Sequence, residues 1–162
     1  MKSLEYKNDN LFFDDIAIEE IAKNIKTPFY IYSEDSIKQN IKGYMSQASQ
    51  KTLFCYSVKA NSNLSLLKLI ASQGMGFDVV SKGELHRAIK AGANTKKIVY
   101  SGVGKTKEEI AYALNNKILC FNAESEEELV AINSQASLMK LKADISIRIN
   151  PDVKVKTHPV SY

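Results

Sequence analysis

The stretch Phe77-Asp78-Val79-Val80-Ser81-Lys82-Gly83-Glu84 contains the pattern that decides the fold. A short apolar run, in which Asp78 is the one polar residue, leads directly into an S/T-x-x-E sequence, which marks the start of a helix. The same succession of an apolar run and a helix start recurs before Thr106 and Ser125. Repeated strand–helix units with short loops predict an α/β fold with parallel strands and right-handed crossovers.

Five apolar runs follow this pattern in the last two thirds of the chain. Several are apolar without alternation, which is typical of strands that are buried on both faces. Two architectures remain open at this point, a doubly wound open sheet and a (β/α) barrel, and both place function at the carboxyl ends of the strands. The predicted strands cover residues 53–58, 77–80, 98–100, 118–121 and 145–149.

The residues upstream of these units predict a different arrangement. The polar and aromatic residues 4–13 are compatible with an edge strand. Thr27-Pro28 then interrupts the chain between two further segments. The other elements predicted here are a helix over residues 16–25, a strand over 29–32 and a helix over 34–48.

Composition restricts the class of function. The 162 residues are 44% hydrophobic and 25% charged, as in an ordinary globular domain. The net charge is +4, and the lysines are scattered instead of forming a stripe interleaved with aromatic residues. We therefore predict no nucleic-acid partner. No window approaches the roughly eighteen apolar residues of a membrane span, so we also predict no membrane association.

The cysteines and histidines predict a cytoplasmic protein without a metal site. Cys55 and Cys120 lie far apart inside apolar strand patterns, as expected for reduced thiols. The amino terminus lacks the apolar core of a secretory signal. With two histidines and no CxxC pair, a zinc site is not expected.

Lys59 is the first candidate for chemistry, because it follows the apolar run 53–58. A lysine there would direct its amine into the pocket at the carboxyl end of the strand, with its stem among apolar neighbours. Burial favours the neutral amine, which is the form that makes a Schiff base. The alternative is that Lys59 merely ends the strand and extends into solvent.

Two further charges interrupt predicted strands. Asp78 either accepts a structural hydrogen bond or pairs with a cation, for which Lys59 and Arg148 are the candidates. Arg148 is always ionised and needs an anionic partner, either a carboxylate of the chain or an anionic ligand. Ser81 and Glu84 are explained as a helix cap, so that any function there is additional.

Gly102-Val103-Gly104-Lys105-Thr106 is similar to the end of a phosphate-binding P-loop. The complete motif requires another glycine at the position of Val99, which lies inside a predicted strand. A P-loop is therefore rejected, and a tight turn before a capped helix is favoured.

Three segments, in this order, resemble the pyridoxal-phosphate-dependent decarboxylases that are built on an alanine-racemase-like barrel. These segments are residues 56–61, 76–85 and 148–159. The last of them contains Asn150-Pro151-Asp152 and Thr157-His158-Pro159, which favours the diaminopimelate decarboxylase branch over the ornithine and arginine branches. The resemblance covers essentially the whole chain, as the amino-terminal portion of that family.

The resemblance implies a reaction, a cofactor and a set of site residues. The reaction is the decarboxylation of meso-diaminopimelate, a small amino-acid substrate, to L-lysine. Lys59 would be catalytic and would bind pyridoxal 5′-phosphate through a Schiff base. Cofactor-binding roles are implied for Lys59, Asp78, Ser81 and Arg148, and supporting roles for Glu84 and His158.

The resemblance also implies how the chain is organised. Residues 1–28 would belong to a β domain, and residues 29–162 would form a partial TIM (β/α) barrel with about five of eight strands. The full-length enzyme would be a homodimer, and this fragment alone would be inactive. Two alternatives stay open: a decarboxylase of ornithine, arginine or carboxynorspermidine, and a non-catalytic truncated remnant that acts as a binding module.

Overall fold

The first of two compact units in the chain contains a small antiparallel sheet and two helices. The computed structural model describes residues 4–49 and 51–151, and the boundary between the units falls between Thr52 and Leu53. The second predicted helix begins at Glu34 as expected, because the Ser33 hydroxyl accepts a hydrogen bond from the backbone N–H of Ser36 at 3.2 Å. The elements are β1 (Leu4–Lys7), β2 (Asn10–Phe13), β3 (Ile16–Ala17), α1 (Ile18–Asn24) and α2 (Glu34–Ser46).

The strand predicted over residues 29–32 is wrong, since these residues have no regular secondary structure. A strand is stable only when its backbone groups pair with a neighbour. Neither of the two sheets in the described part of the chain includes this segment. Its two tyrosines are correspondingly open to solvent, and Tyr30 is 92% exposed and Tyr32 57% exposed.

The second unit alternates five parallel strands with helices, and the five predicted strands are confirmed. The strands lie in the sheet in the order in which they occur in the chain. Within the described residues, no helix is both long enough and apolar enough to cross a bilayer. The elements are β4 (Cys55–Ser57), α3 (Leu64–Ser72), β5 (Gly76–Val79), α4 (Lys82–Lys90), β6 (Ile98–Tyr100), α5 (Lys107–Asn115), β7 (Cys120–Ala123), α6 (Glu126–Leu138) and β8 (Ile145–Ile147).

The helices of this unit cover only one face of the sheet. Right-handed crossovers between sequential neighbouring strands place every helix on the same side. A doubly wound sheet would carry helices on both sides, so the unit is a partial (β/α) barrel, and its inner face is the one that the helices leave uncovered. The strand residues that are buried against the helices are Phe77, Val79, Ile98, Tyr100, Phe121 and Ala123.

Three of the helices begin at the predicted capping residues, but only one has a complete capping box. At Thr106 the hydroxyl and the glutamate side chain bond reciprocally with backbone N–H groups. At Ser81 the hydroxyl accepts from the N–H of Glu84, whereas the Glu84 carboxylate accepts from the N–H of Val80 at 2.9 Å. At Ser125, likewise, the hydroxyl accepts from the N–H of Glu128, whereas the Glu128 carboxylate accepts from the N–H of Glu124, one residue before the cap. These carboxylates therefore tie each helix to the strand that precedes it.

Gly76, the first residue of β5, lies too close to its neighbours to carry a side chain. A Cβ atom there would lie 2.2 Å from the carbonyl oxygen of Lys97 and 2.9 Å from Cys55 Sγ. We expect Gly76→Ala to lower the free energy of unfolding by about 3 kcal/mol, because the strand must move to remove the overlap. The measurement is urea unfolding of the protein that contains this chain.

Gly83 provides the matched control for this substitution. It lies in the first turn of α4, where the nearest atom to an added Cβ is Ser81 Oγ at 3.8 Å. Gly83→Ala is expected to leave the stability unchanged or to raise it by up to about 1 kcal/mol. Equal effects of the two substitutions would contradict the steric explanation.

Candidate active site

Lys59 lies directly after β4, in a single turn of 3₁₀ helix formed by Val58–Ala60. Its side chain is exposed, so the expectation that its stem is buried among apolar neighbours is wrong. Within residues 4–49 and 51–151, its ammonium group has neither a hydrogen-bond nor an ion-pair partner. A lysine amine that is accessible and unpaired is available to react with a small molecule.

Asp78 lies on the inner face of the sheet and is the centre of a chain of side-chain hydrogen bonds. Ser57 Oγ donates to Asp78 Oδ2 at 2.9 Å, and the Ser101 hydroxyl donates to Asp78 Oδ1. Asn122 Nδ2 in turn donates to Ser101 Oγ at 2.8 Å. We call Ser57, Asp78, Ser101 and Asn122 the inner polar chain. It connects four neighbouring strands close to their carboxyl ends.

Arg148 pairs with Glu124 and not with Asp78 in the described structure. Arg148 Nη1 lies 3.0 Å from Glu124 Oε2, and Arg148 Nε donates to Asn150 Oδ1 at 3.2 Å. The other oxygen of Glu124 accepts from the N–H of Gly102 at 2.8 Å. Glu124 thus connects the loop after β6 to the end of β8, and the carboxylate of Asp78 is satisfied by hydroxyl groups.

Lys105 is the buried lysine of the site, and its ammonium group is completely hydrogen-bonded. Its side chain is 1% exposed, and Nζ donates to the carbonyl oxygens of Gly102 at 2.7 Å and Asn122 at 3.0 Å. Its third partner is Glu128 Oε1 at 2.9 Å, on a side chain that is 9% exposed. Lys105 also lies over the ring of Tyr100. The loop that contains Lys105 is therefore held by internal bonds, in agreement with the rejection of a P-loop.

These pairings leave two charged groups of opposite sign without a charged partner. Lys105 is balanced by Glu128, and Arg148 is balanced by Glu124. Among the described residues, neither Lys59 nor Asp78 takes part in an ion pair. Lys59 follows β4, and Asp78 lies on the neighbouring strand β5, where Ser57, two residues before Lys59, is its register partner. The strand ends thus offer a free amine and a fixed carboxylate.

Ser81 and Glu84 lie at the start of α4, where the sequence placed them. Both take part in capping bonds, and the cofactor-binding and supporting roles implied for them remain predictions. His158 lies outside the described residues, as does Asp152 in the motif that favours the diaminopimelate branch.

The sequence interpretation missed several residues of the site. These residues include Ser101, Asn122 and Glu124, and the signal that could have found them is a polar side chain at the end of an apolar strand. The glutamate run that contains Glu128 also suits the first turn of a helix, which conceals its pairing with Lys105. These roles depend on contacts between units that are distant in sequence.

Comparison with known proteins identifies the family of this barrel with its free lysine. The family described as "Pyridoxal-dependent decarboxylase, pyridoxal binding domain" matches residues 34–162. This is more than half of the chain, and the chain therefore belongs to the pyridoxal-dependent decarboxylase family. The resemblance found in the sequence is confirmed.

The curated relatives are diaminopimelate decarboxylases. The enzyme of Aquifex aeolicus is 46% identical over 156 residues, which are 96% of this chain and 37% of that protein. The enzyme of Campylobacter jejuni is 51% identical over 144 residues, 87% of this chain and 35% of that protein. The chain thus spans somewhat more than a third of the length of these relatives.

Solved structures agree with the fold. The crystal structure of diaminopimelate decarboxylase from Helicobacter pylori, complexed with L-lysine, has a TM-score of 0.85 and 50% identity. It is matched over 88% of this chain and 36% of that chain. The arginine decarboxylase of Paramecium bursaria Chlorella virus, at 21% identity and a TM-score of 0.69, shares the fold alone.

Proposed function

We propose that the protein containing this chain catalyses the pyridoxal-phosphate-dependent decarboxylation of meso-diaminopimelate to L-lysine. The observation that carries the proposal is the free amine of Lys59 beside the strand that holds Asp78, in a chain of this family. The proposed substrate is supported by relatives named diaminopimelate decarboxylase at 41% to 51% identity. The decarboxylases of ornithine, arginine and carboxynorspermidine are the rivals within this class.

The residues at the strand ends fit pyridoxal phosphate. The cofactor carries an aldehyde, which requires an unpaired amine, and Lys59 supplies one. It also carries a phosphate, and Arg148 is a half-exposed cation at the same end of the sheet. When bound, the cofactor supplies an electron sink for the carbon atom that loses carbon dioxide.

We propose that the chain's own residues divide the remaining work. Lys59 would hold the cofactor covalently, and Asp78 would hold a fixed negative charge beside the amine. The Ser81 hydroxyl accepts one hydrogen bond and still has its proton to donate to a ligand. Glu84 and His158 would support the site without contacting the reacting atoms.

The test is the substrate preference of the protein that contains this chain. The purified protein is supplied with pyridoxal phosphate and, separately, with meso-diaminopimelate, ornithine, arginine and carboxynorspermidine. We expect release of carbon dioxide and formation of lysine from meso-diaminopimelate, at the largest kcat/KM of the four. A larger kcat/KM for one of the other three would transfer the assignment to that branch.

We propose that residues 1–162 alone have negligible activity. Among residues 4–49 and 51–151, no helix covers the outer face of β8, and Ile147 is 64% exposed where the other strands are covered by helices. This edge supports the second candidate function, a non-catalytic binding module. The coding sequence after Tyr162 distinguishes the two: an in-frame continuation supports the enzyme and a stop codon supports the module. Lysine formation by the purified 162-residue chain would contradict the inactivity.

We also propose the organisation that the resemblance implies: a β-domain segment at residues 1–28, a partial barrel at 29–162, a homodimer and a cytoplasmic location. The antiparallel strands β1, β2 and β3 support the first part, and the free thiols Cys55 and Cys120 suit a reducing compartment. Limited proteolysis near residue 28 and a sedimentation mass of two protomers are the expected results.

A further inference from the structure

The hydrogen bonds of the inner polar chain all run from donor to acceptor toward Asp78. An ionised carboxylate only accepts hydrogen bonds, and an amide NH₂ group only donates them. Asn122 Nδ2 donates to Ser101 Oγ, so the single proton of the Ser101 hydroxyl is left for Asp78 Oδ1. Ser57 supplies the second proton, to Asp78 Oδ2. Both oxygens of Asp78 are thus engaged by donors that stabilise its ionised form.

The backbone holds this chain in place. The N–H of Ser101 donates to the carbonyl oxygen of Val79 at 2.8 Å, which extends the ladder between β5 and β6 beyond the end of β6. Asn122 lies within β7, in register with Ser146 of β8. Ser101 and Asn122 are therefore fixed by the sheet, and they limit the positions available to Asp78.

We propose that Ser101 and Asn122 are positioning residues that hold the carboxylate of Asp78 in the orientation required for the binding of pyridoxal phosphate. This inference rests on the proposed function. It assigns no contact with the reacting atoms to either residue, since both act through Asp78. It predicts that the affinity for pyridoxal phosphate falls when a hydrogen bond of the inner polar chain is removed, and that a substitution that keeps the hydrogen bond restores the affinity.

The experiment measures the dissociation constant of pyridoxal phosphate at neutral pH. It uses the cofactor-free form of the protein that contains this chain, followed by the absorbance of the bound cofactor. In Ser101→Ala, Asp78 loses one of its two hydroxyl donors, and the dissociation constant is expected to rise about tenfold. Ser101→Thr keeps the hydroxyl and should restore the wild-type dissociation constant.

Asn122→Asp is the second variant, and it keeps the test decisive if Ser101→Ala does not fold. A second carboxylate would compete for the Ser101 proton and repel Asp78, so the dissociation constant should rise at least as far as in Ser101→Ala. Ser146→Ala is the matched control, because Ser146 lies beside Asn122 and makes no side-chain hydrogen bond within the described residues.

The outcomes separate this inference from the proposed function. If borohydride traps the cofactor on Lys59 and the dissociation constant stays unchanged in both variants, the positioning role is overturned and the proposed function stands. If the cofactor is not trapped on Lys59 in the wild-type protein, both are overturned. A dissociation constant that rises in Ser146→Ala as far as in Ser101→Ala, or that Ser101→Thr does not restore, would also overturn the positioning role.

Discussion

Lys59→Ala is expected to lower kcat/KM for decarboxylation by at least about 10³-fold and to abolish trapping of pyridoxal phosphate by borohydride. The reason is that the proposed covalent attachment requires a free amine at this position. Lys105, a second lysine near these strand ends, is buried and has three hydrogen-bond partners. Peptide mapping of the reduced adduct by mass spectrometry provides the measurement.

Two further variants make this prediction specific. Lys59→Arg keeps the positive charge but cannot form the Schiff base, so it should be as inactive as the alanine variant. Lys107→Ala removes an exposed lysine in the first turn of α5 and should leave kcat/KM within about twofold of wild type. An adduct on another lysine, persisting in Lys59→Ala, would disprove the assignment.

The second large effect is expected at the buried ion pair. Lys105→Ala should lower the free energy of unfolding by about 3–5 kcal/mol, because the carboxylate of Glu128 would stay buried without its counter-charge. The carbonyl groups of Gly102 and Asn122 would lose a donor at the same time. Urea unfolding of the protein that contains this chain, monitored by circular dichroism, measures the loss.

Lys38→Ala provides the comparison for Lys105→Ala. Lys38 pairs with Glu34 at 2.6 Å on the exposed surface of α2, and because solvent screens this pair, its loss should leave the free energy of unfolding essentially unchanged. The double substitution Lys105→Met with Glu128→Leu should recover most of the lost stability, since it removes both buried charges. If the double variant is as unstable as Lys105→Ala alone, desolvation of Glu128 is not the cause.

The sequence predicted those features of the fold that depend on neighbouring residues. The five strands and the caps at Ser81, Thr106 and Ser125 follow from short apolar runs and local hydroxyl groups, and all are present. The strand expected over residues 29–32 depends on a pairing partner, which no local pattern reveals. The choice between an open sheet and a barrel likewise required the strand order.

The sequence predicted where the candidate site lies, but it did not predict which of its side chains form ion pairs and hydrogen bonds with one another. Asp78 and Glu124 both place a carboxylate near the strand ends, and only the register between strands decides which of them Arg148 meets. The exposure of Lys59 was missed because the apolar run before it suggested burial. Lys105 was considered only as part of a loop, since its partner Glu128 lies 23 residues further along the chain.

Successive residues along each strand face opposite sides of the sheet, so that one set packs against the helices and the other set faces the interior of the barrel. Val79 and Tyr100 pack against the helices, whereas the adjacent Asp78 and Ser101 face the interior of the barrel. A combinatorial library confined to inward-facing positions such as 57, 101 and 122 would therefore vary the electrostatic environment of the lumen and leave the helix-facing core intact. Such a library would test, with a high proportion of folded clones, how far the hydrogen bonds to Asp78 determine cofactor affinity.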